Sequence, residues 1–231
     1  MCAFNYKFTS LFGILMRKEY NMDDNEMNVP VVDEKPKGMT QLENKKIDTD
    51  KIEGLVYELL EVLGEDPNRD GLVETPKRVA RMMRDMFSGI KYTNKDIAKM
   101  YGKTFPVDTN QIVVVKDIFC FSHCEHHMAF MYNMNISIGY LPAGKVIGLS
   151  KIPRIAQMCC KRLQLQEKIG EDICEVISLA TGSEDVIVHI TASHSCMSAR
   201  GVQATSSRTT TLTTKGIFQE DTTIQRFLML L

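Results

Sequence analysis

From Phe130 to Tyr140 the chain alternates, with Phe130, Tyr132, Met134, Ile136, Ile138 and Tyr140 standing between smaller or polar residues. Successive side chains of a strand point to opposite faces, so this pattern predicts one long strand with a single buried face. Such a strand needs partners in a sheet and a layer to cover it, and candidates lie on both sides. Residues 111–121 (QIVVVKDIFCF) are β-branched and aromatic, as strands are. A Pro142-Ala143-Gly144 turn leads to a short strand at 145–149, residues 185–192 read as another, and the Thr-rich stretch 202–214 reads as its antiparallel partner.

Elsewhere the period is helical. Ile52, Leu55, Val56, Leu59, Leu60 and Leu63 recur at i, i+3/i+4, with Asp50 and Glu53 as a capping box and Gly64 as a stop. A second helix has Thr75 as N-cap and Pro76 in its first position. Its apolar stripe is Val79, Met82, Met83, Met86 and Phe87, and Gly89 ends it. Ser150 caps a third helix reaching about residue 162, and a fourth covers about 164–180, stopped by Gly182. The order helices, strands, two helices, strands, short helix predicts an α+β fold with an antiparallel sheet, not alternating βαβ units.

Three regions follow. Residues 1–46 form a variable arm: 19–47 are polar and charged, with Pro30, Pro36 and no hydrophobic period, which predicts no fixed structure. The apolar stretch 8–16 (FTSLFGILM) is too short for a signal peptide and lacks a small-residue cleavage site. Met16, Met22, Met27 and Met39 are alternative starts. Residues 47–108 form a helical region, and 109–231 carry the sheet.

Composition removes several function classes. The 28 basic and 29 acidic residues nearly cancel, so no bulk field draws nucleic acid. No apolar run reaches the roughly 18 residues that a membrane span needs. Seven cysteines, an odd number that includes the adjacent Cys159 and Cys160, predict reduced thiols in a cytoplasmic protein.

The chemistry is concentrated in two places. Four of the five histidines sit beside cysteines, in Phe121-Ser-His-Cys-Glu-His-His-Met128 and His194-Ser-Cys196. Cys124-x-x-His127 has a local chelate spacing, and Cys196 offers a third soft ligand from a distant segment. Three protein ligands are the count of a catalytic zinc that leaves one position for water. A structural site would need a fourth, for which Cys120 and His123 are the candidates. His126 and His194 are then spare imidazoles beside the metal, suited to acid–base work near neutral pH.

Gly139 to Lys145 nearly matches a phosphate-binding glycine loop, but Val146 replaces Ser/Thr and a strand follows, so it reads as a turn. A better anion site opens the third helix, where free N–H groups of the first turn join Ser150, Lys151 and Arg154. Arg200 lies close in sequence to Cys196, and Gln166-Glu167 begins the next helix.

These segments resemble the GTP cyclohydrolase I family over about residues 50–230. The resemblance rests on Glu65-Asp-Pro-Asn-Arg-Asp-Gly-Leu, Glu74-Thr-Pro-Lys-Arg78, Phe121-Ser-His-Cys-Glu-His-His and Val146-Ile-Gly-Leu-Ser-Lys-Ile-Pro-Arg154. It continues through Arg162-Leu-Gln-Leu-Gln-Glu-Lys-Ile169 and His194-Ser-Cys-Met-Ser-Ala-Arg-Gly-Val-Gln203. Ser198 stands where some members carry a basic residue.

The resemblance implies a tunnelling fold (T-fold) whose sheets join across subunits into a barrel, in a homodecamer with active sites at subunit interfaces. It implies conversion of GTP to 7,8-dihydroneopterin triphosphate with release of formate, the first step of folate or biopterin synthesis. Cys124, His127 and Cys196 would hold Zn2+. Glu167, with Gln166 beside it, would read the guanine edge. Ser150, Lys151, Arg154 and Arg200 would hold triphosphate and ribose, with Arg78 reaching in from a neighbouring subunit. His194 would carry the proton for ring opening and His126 later proton transfers.

Three competing readings remain at this point. Other tunnelling-fold enzymes would show a three-histidine metal site or a nucleophilic cysteine without zinc, patterns that Cys124, His127 and Cys196 do not fit. A zinc-stapled assembly module would have a closed metal site and unfold on chelation. An inactive paralogue would keep GTP binding alone.

Overall fold

The structure, a computed structural model, describes residues 46–231; the expected arm at 1–46 lies almost wholly outside them. The helices are α1 (Thr49–Val62), α2 (Thr75–Met86), α3 (Asn94–Tyr101), α4 (Lys151–Cys160), α5 (Gln166–Thr181), α6 (Ser195–Ser198) and α7 (Asp221–Leu228). The strands are β1 (Thr104–Pro106), β2 (Val113–Cys124), β3 (Phe130–Tyr140), β4 (Lys145–Ile147), β5 (Leu163–Gln164), β6 (Val186–His194) and β7 (Thr209–Thr214). The five-stranded sheet runs β5-β2-β3-β6-β7, and β1 pairs with β4 separately. Every pairing in the large sheet is antiparallel except the short parallel contact of β5 with β2. The α+β expectation holds.

Two helices and the sheet make the main core. Ile152, Ile155 and Cys159 of α4, with Ile169, Ile173 and Ile177 of α5, are buried in one cluster with Ile118, Ile136, Ile138, Val188 and Ile190 of the strands. On the opposite face, Phe218 and Phe227 cover Ile187. Gly139 is what lets the ring of Phe227 approach: a Cβ there would lie 2.8 Å from Phe227 Cδ2 and 2.9 Å from Ile187 Cγ2. Only part of this second face is covered, and Phe119 and Phe121 of β2 remain about two-thirds exposed on it, at 68% and 66%.

The alternation of β3 holds on one side of a defect. Asn133 adopts φ 49°, and the β3–β6 register shifts between Tyr132 and Asn135. A bulge of this kind moves the inward set by one residue. Met131 therefore points inward before it, and Met134, Ile136 and Ile138 after it. Near Tyr140 both faces are buried, because α7 covers the second one.

Helix ends depart from expectation in local ways. Asp48, not the Asp50–Glu53 pair, caps α1, its carboxylate accepting from the Lys51 N–H at 3.1 Å. Glu74 occupies the N-cap of α2 and makes no side-chain cap bond, so Thr75 is already helical. Met82 faces solvent, and Pro76 and Ala80 are buried in α2. The fourth helix begins at Gln166, because Leu163 and Gln164 pair with His123 and Cys124 instead. Ser150 precedes α4 without a side-chain cap bond. The Thr-rich strand starts at Thr209, and residues 202–208 form the turn before it. Gly182 at φ 75° ends α5, as expected.

A buried ion pair ties the helices together. Arg162 donates to Asp172 at 2.7 Å, to Asn94 Oδ1 at 2.8 Å and to the Tyr92 carbonyl at 2.9 Å. Lys168 meets the same carboxylate at 3.0 Å. These bonds fix the start of α5 against α3 and the end of α4.

Candidate metal centre and active site

Strand β2 runs three residues beyond its expected end, which makes Cys124 its last residue. The Cys124 N–H donates to the Ala129 carbonyl at 2.9 Å and closes the loop that carries His127. Met128, at φ 51°, turns the chain back into β3. Cys196 follows the far end of β6, inside the one-turn helix α6. Met131 pairs with His194 across the sheet, so the two ligand segments lie at the same end.

The ligand atoms of Cys124, His127 and Cys196 all lie within 4.8 Å of one another. Zinc–sulfur bonds of about 2.3 Å and zinc–nitrogen bonds of about 2.0–2.1 Å, meeting tetrahedrally, set a sulfur–nitrogen edge of about 3.6 Å. Cys124 Sγ and His127 Nδ1 stand 3.6 Å apart. Burial, and then the neighbouring Cys124 thiol, push the Cys196 thiol up; a cation between two such sulfurs reverses that crowding and favours thiolate. The donor set fits a zinc-sized ion.

The two candidates for a fourth ligand stand apart from the three-ligand set. Cys120 faces the core opposite Met134, where Cys160 also packs. His123, 5% exposed, lies between the rings of Phe87 and Phe130, with centroids at 4.8 and 4.7 Å. Among the described residues the metal-binding group is the three-ligand set alone. Burial pushes the Cys159 and Cys174 thiols each up to about 12.

His194 stands at the end of β6 with its Nε2 2.9 Å from Gln166 Oε1. Gln166 is 2% exposed, and its NH2 group points at three acceptors: the Ile190 and Thr209 carbonyls, both at 3.2 Å, and Thr211 Oγ1 at 3.3 Å. That surround leaves Oε1 as the only group able to face His194, so His194 Nε2 is the donor and its neutral ring keeps the lone pair on Nδ1. Burial lowers the pKa of His194, and the carboxylate of Glu167 partly opposes that. Glu167 itself is exposed beside it, in the first turn of α5. The Arg200 guanidinium touches His127 Nε2. His126 is exposed, 3.9 Å from Glu125.

The structure therefore gathers Cys124, His126, His127, Gln166, Glu167, His194, Cys196 and Arg200 at one end of the sheet. Ser150, Lys151 and Arg154 are elsewhere. The Ile147 N–H bonds Tyr140 Oη at the opposite end, whereas the other end of α4 meets Ser122, whose hydroxyl donates to the Cys160 carbonyl at 2.8 Å. The ten residues of α4 separate the two by about 15 Å. Ser150 and Arg154 are exposed there, and Arg78 is exposed on α2.

Sequence reasoning missed the supports of this site. Tyr132 and Ser195 look like ordinary strand and turn residues, and no local signal joins Tyr132 to Ser198 or Ser195 to Phe130. The internal use of Gln166 depends on β6 and β7 meeting over α5, which spacing along the chain does not reveal.

The sequence is similar to known proteins over most of its length. The family model described as GTP cyclohydrolase I matches residues 52–231. A GTP cyclohydrolase 1 of Ruminiclostridium cellulolyticum is 52% identical over 191 residues, spanning 80% of this chain and 98% of its own. Those of Clostridium acetobutylicum and Clostridium beijerinckii are 50% and 48% identical, spanning 80% and 81% of this chain and 97% and 98% of theirs. The chain belongs to the GTP cyclohydrolase I family.

Proposed function

We propose that this chain opens the imidazole ring of GTP hydrolytically, releases carbon 8 as formate and re-closes the product to 7,8-dihydroneopterin triphosphate, the first step of pterin and folate synthesis. The observation that carries the reading is the three-ligand set, its atoms within 4.8 Å of one another, beside an imidazole whose orientation is locked by a buried amide.

A zinc ion held by Cys124, His127 and Cys196 would supply a water activated near neutral pH, since zinc lowers the pKa of bound water to about 7. The carboxylate of Glu167 accepts from the ring N–H and exocyclic amine of guanine together, which selects guanine over adenine. His194, held by Gln166 through Nε2, would take a proton from the attacking water at its free Nδ1 and pass it to the ring nitrogen next to carbon 8 as the ring opens. His126, free in solvent, carries proton transfers in the second hydrolysis and the Amadori-type rearrangement. Arg200 contributes positive charge at the ribose and triphosphate.

Ser150, Lys151 and Arg154 hold the triphosphate from a second copy of the chain, and Arg78 reaches in likewise. Their separation from the metal end within one chain supports this, as does exposed apolar surface on both layers. Helix α1 has no buried residue, with Val62 83% exposed; Phe119 and Phe121 lie bare on the sheet. A homodecamer whose sheets join into a barrel accounts for these surfaces, with active sites between subunits.

Mixing tests the shared site. Cys196→Ser and Arg154→Ala should each be inactive alone, because each damages one half of every site. Subunits of the two, unfolded and refolded together, should regain GTP turnover from interfaces that pair the intact halves. No recovery in verified mixed oligomers would refute the two-chain site.

A further inference from the structure

Three ligands from two distant segments stay within reach of one ion only if something fixes one segment against the other. The Cys124–His127 loop is closed by its own backbone bond to Ala129. Cys196 lies in α6, four residues long, whose backbone bonds run only within its own segment, from the Ala199 N–H to Ser195 and from the Ala204 N–H to Met197, and a single helical turn has almost no stability of its own.

Side chains at both ends of that turn supply the anchorage. The Ser195 hydroxyl donates to the Phe130 carbonyl at 2.9 Å. The Ser198 hydroxyl donates to the His194 carbonyl at 3.2 Å. With that proton committed, the 3.1 Å contact between Ser198 Oγ and Tyr132 Oη has Tyr132 as the donor. Phe130 and Tyr132 are among the first residues of β3, immediately after the loop that holds Cys124 and His127. The start of β3 is thus tied to both halves of the ligand set.

Resting on the metal reading above, we propose that Tyr132 and Ser198 are positioning residues of the metal centre: their hydrogen bond sets the reach of Cys196 toward Cys124 and His127, and with it metal affinity. Neither side chain belongs to the three-ligand set. Groups that orient a ligand from behind typically change metal affinity about 10- to 100-fold when removed. Tyr132 is bound to α6 through one hydroxyl, so Tyr132→Phe deletes that bond and leaves the ring packing intact.

The test uses the full-length chain stripped of metal and reloaded with Co2+ alone, in competition with a chromophoric chelator. Wild type should take one Co2+ per chain, with a thiolate-to-metal charge-transfer band. Tyr132→Phe and Ser198→Ala should each weaken Co2+ binding about 10-fold or more, with the metal-free melting temperature unchanged. The double variant should be no weaker than Ser198→Ala, because both substitutions remove the same bond. Single variants binding Co2+ within about twofold of wild type would overturn the proposal. So would weakened binding matched by a fall in metal-free melting temperature, which would assign both residues to the fold. Absence of the charge-transfer band from wild type itself would instead remove the metal reading, and the proposal with it.

Discussion

Replacing Gln166 by leucine separates two roles that its position beside Glu167 leaves open. The side chain keeps nearly its volume, so the buried slot stays filled. It loses four polar contacts: one to His194 Nε2 and three from its NH2 group to Ile190, Thr209 and Thr211. Carbonyls left without a donor in a buried place cost about 1–3 kcal/mol, so the fold should weaken and survive. The functional loss comes from His194, whose ring is released from its one fixed partner. Misplacement of an acting group by about 1 Å costs about 10²-fold in rate, or about 2.7 kcal/mol of barrier. Steady-state formation of the fluorescent pterin from GTP should show kcat reduced about 100-fold with KM for GTP nearly unchanged. If Gln166 instead binds guanine directly, KM must rise with kcat preserved; that split would refute the positioning argument.

Other perturbations test the remaining links. Although burial alone raises the Asp172 carboxyl, the hydrogen bond from Asn94 and the charges of Lys168 and Arg162 outweigh it and hold the pKa below the ordinary range. A depressed carboxyl contributes stability above its unfolded pKa of about 3.9 and loses it as pH falls through the folded value. Urea unfolding should therefore find Asp172→Asn about 2 kcal/mol less stable at pH 7 and at pH 5, with the gap closing below pH 4; an unchanged gap at pH 3 would contradict the assignment. Gly139→Ala drives a methyl into Phe227 and should cost about 1–3 kcal/mol by thermal melting, whereas a neutral result would mean that α7 is free to move away. Chelation should abolish GTP turnover while far-UV circular dichroism persists, because the isoleucine- and valine-rich core does not depend on the metal. Unfolding on chelation would revive the stapling role.

What could be read from residues alone was what repeats at short range. The long β3 strand, the apolar stripe of α1 and the Cys124-x-x-His127 spacing follow from periods of two and about three and a half, and from a local chelate ring. Errors gathered where one residue decides. Asn133 resets the alternation of β3 through its backbone angle, and Asp48 displaces the expected cap of α1 by two positions. Leu163 and Gln164 leave the helix because β2 offers them a parallel edge.

The site divided along the same line. Ligand identities were legible because soft donors are rare and clustered. The supports were not: Gln166 to His194 and Tyr132 to Ser198 join positions far apart in the chain. The distance from Ser150 to the metal end was hidden as well, since it depends on the direction in which α4 lies across the sheet.

The most direct test of the central claim is formate released from GTP by wild type and by Cys196→Ser at equal protein concentration. Wild type should release formate and pterin in equal amounts, and the variant neither, with its fold intact by circular dichroism. Formate at the wild-type rate from Cys196→Ser would contradict the three-ligand centre. No formate from zinc-loaded wild type would contradict the proposed reaction itself.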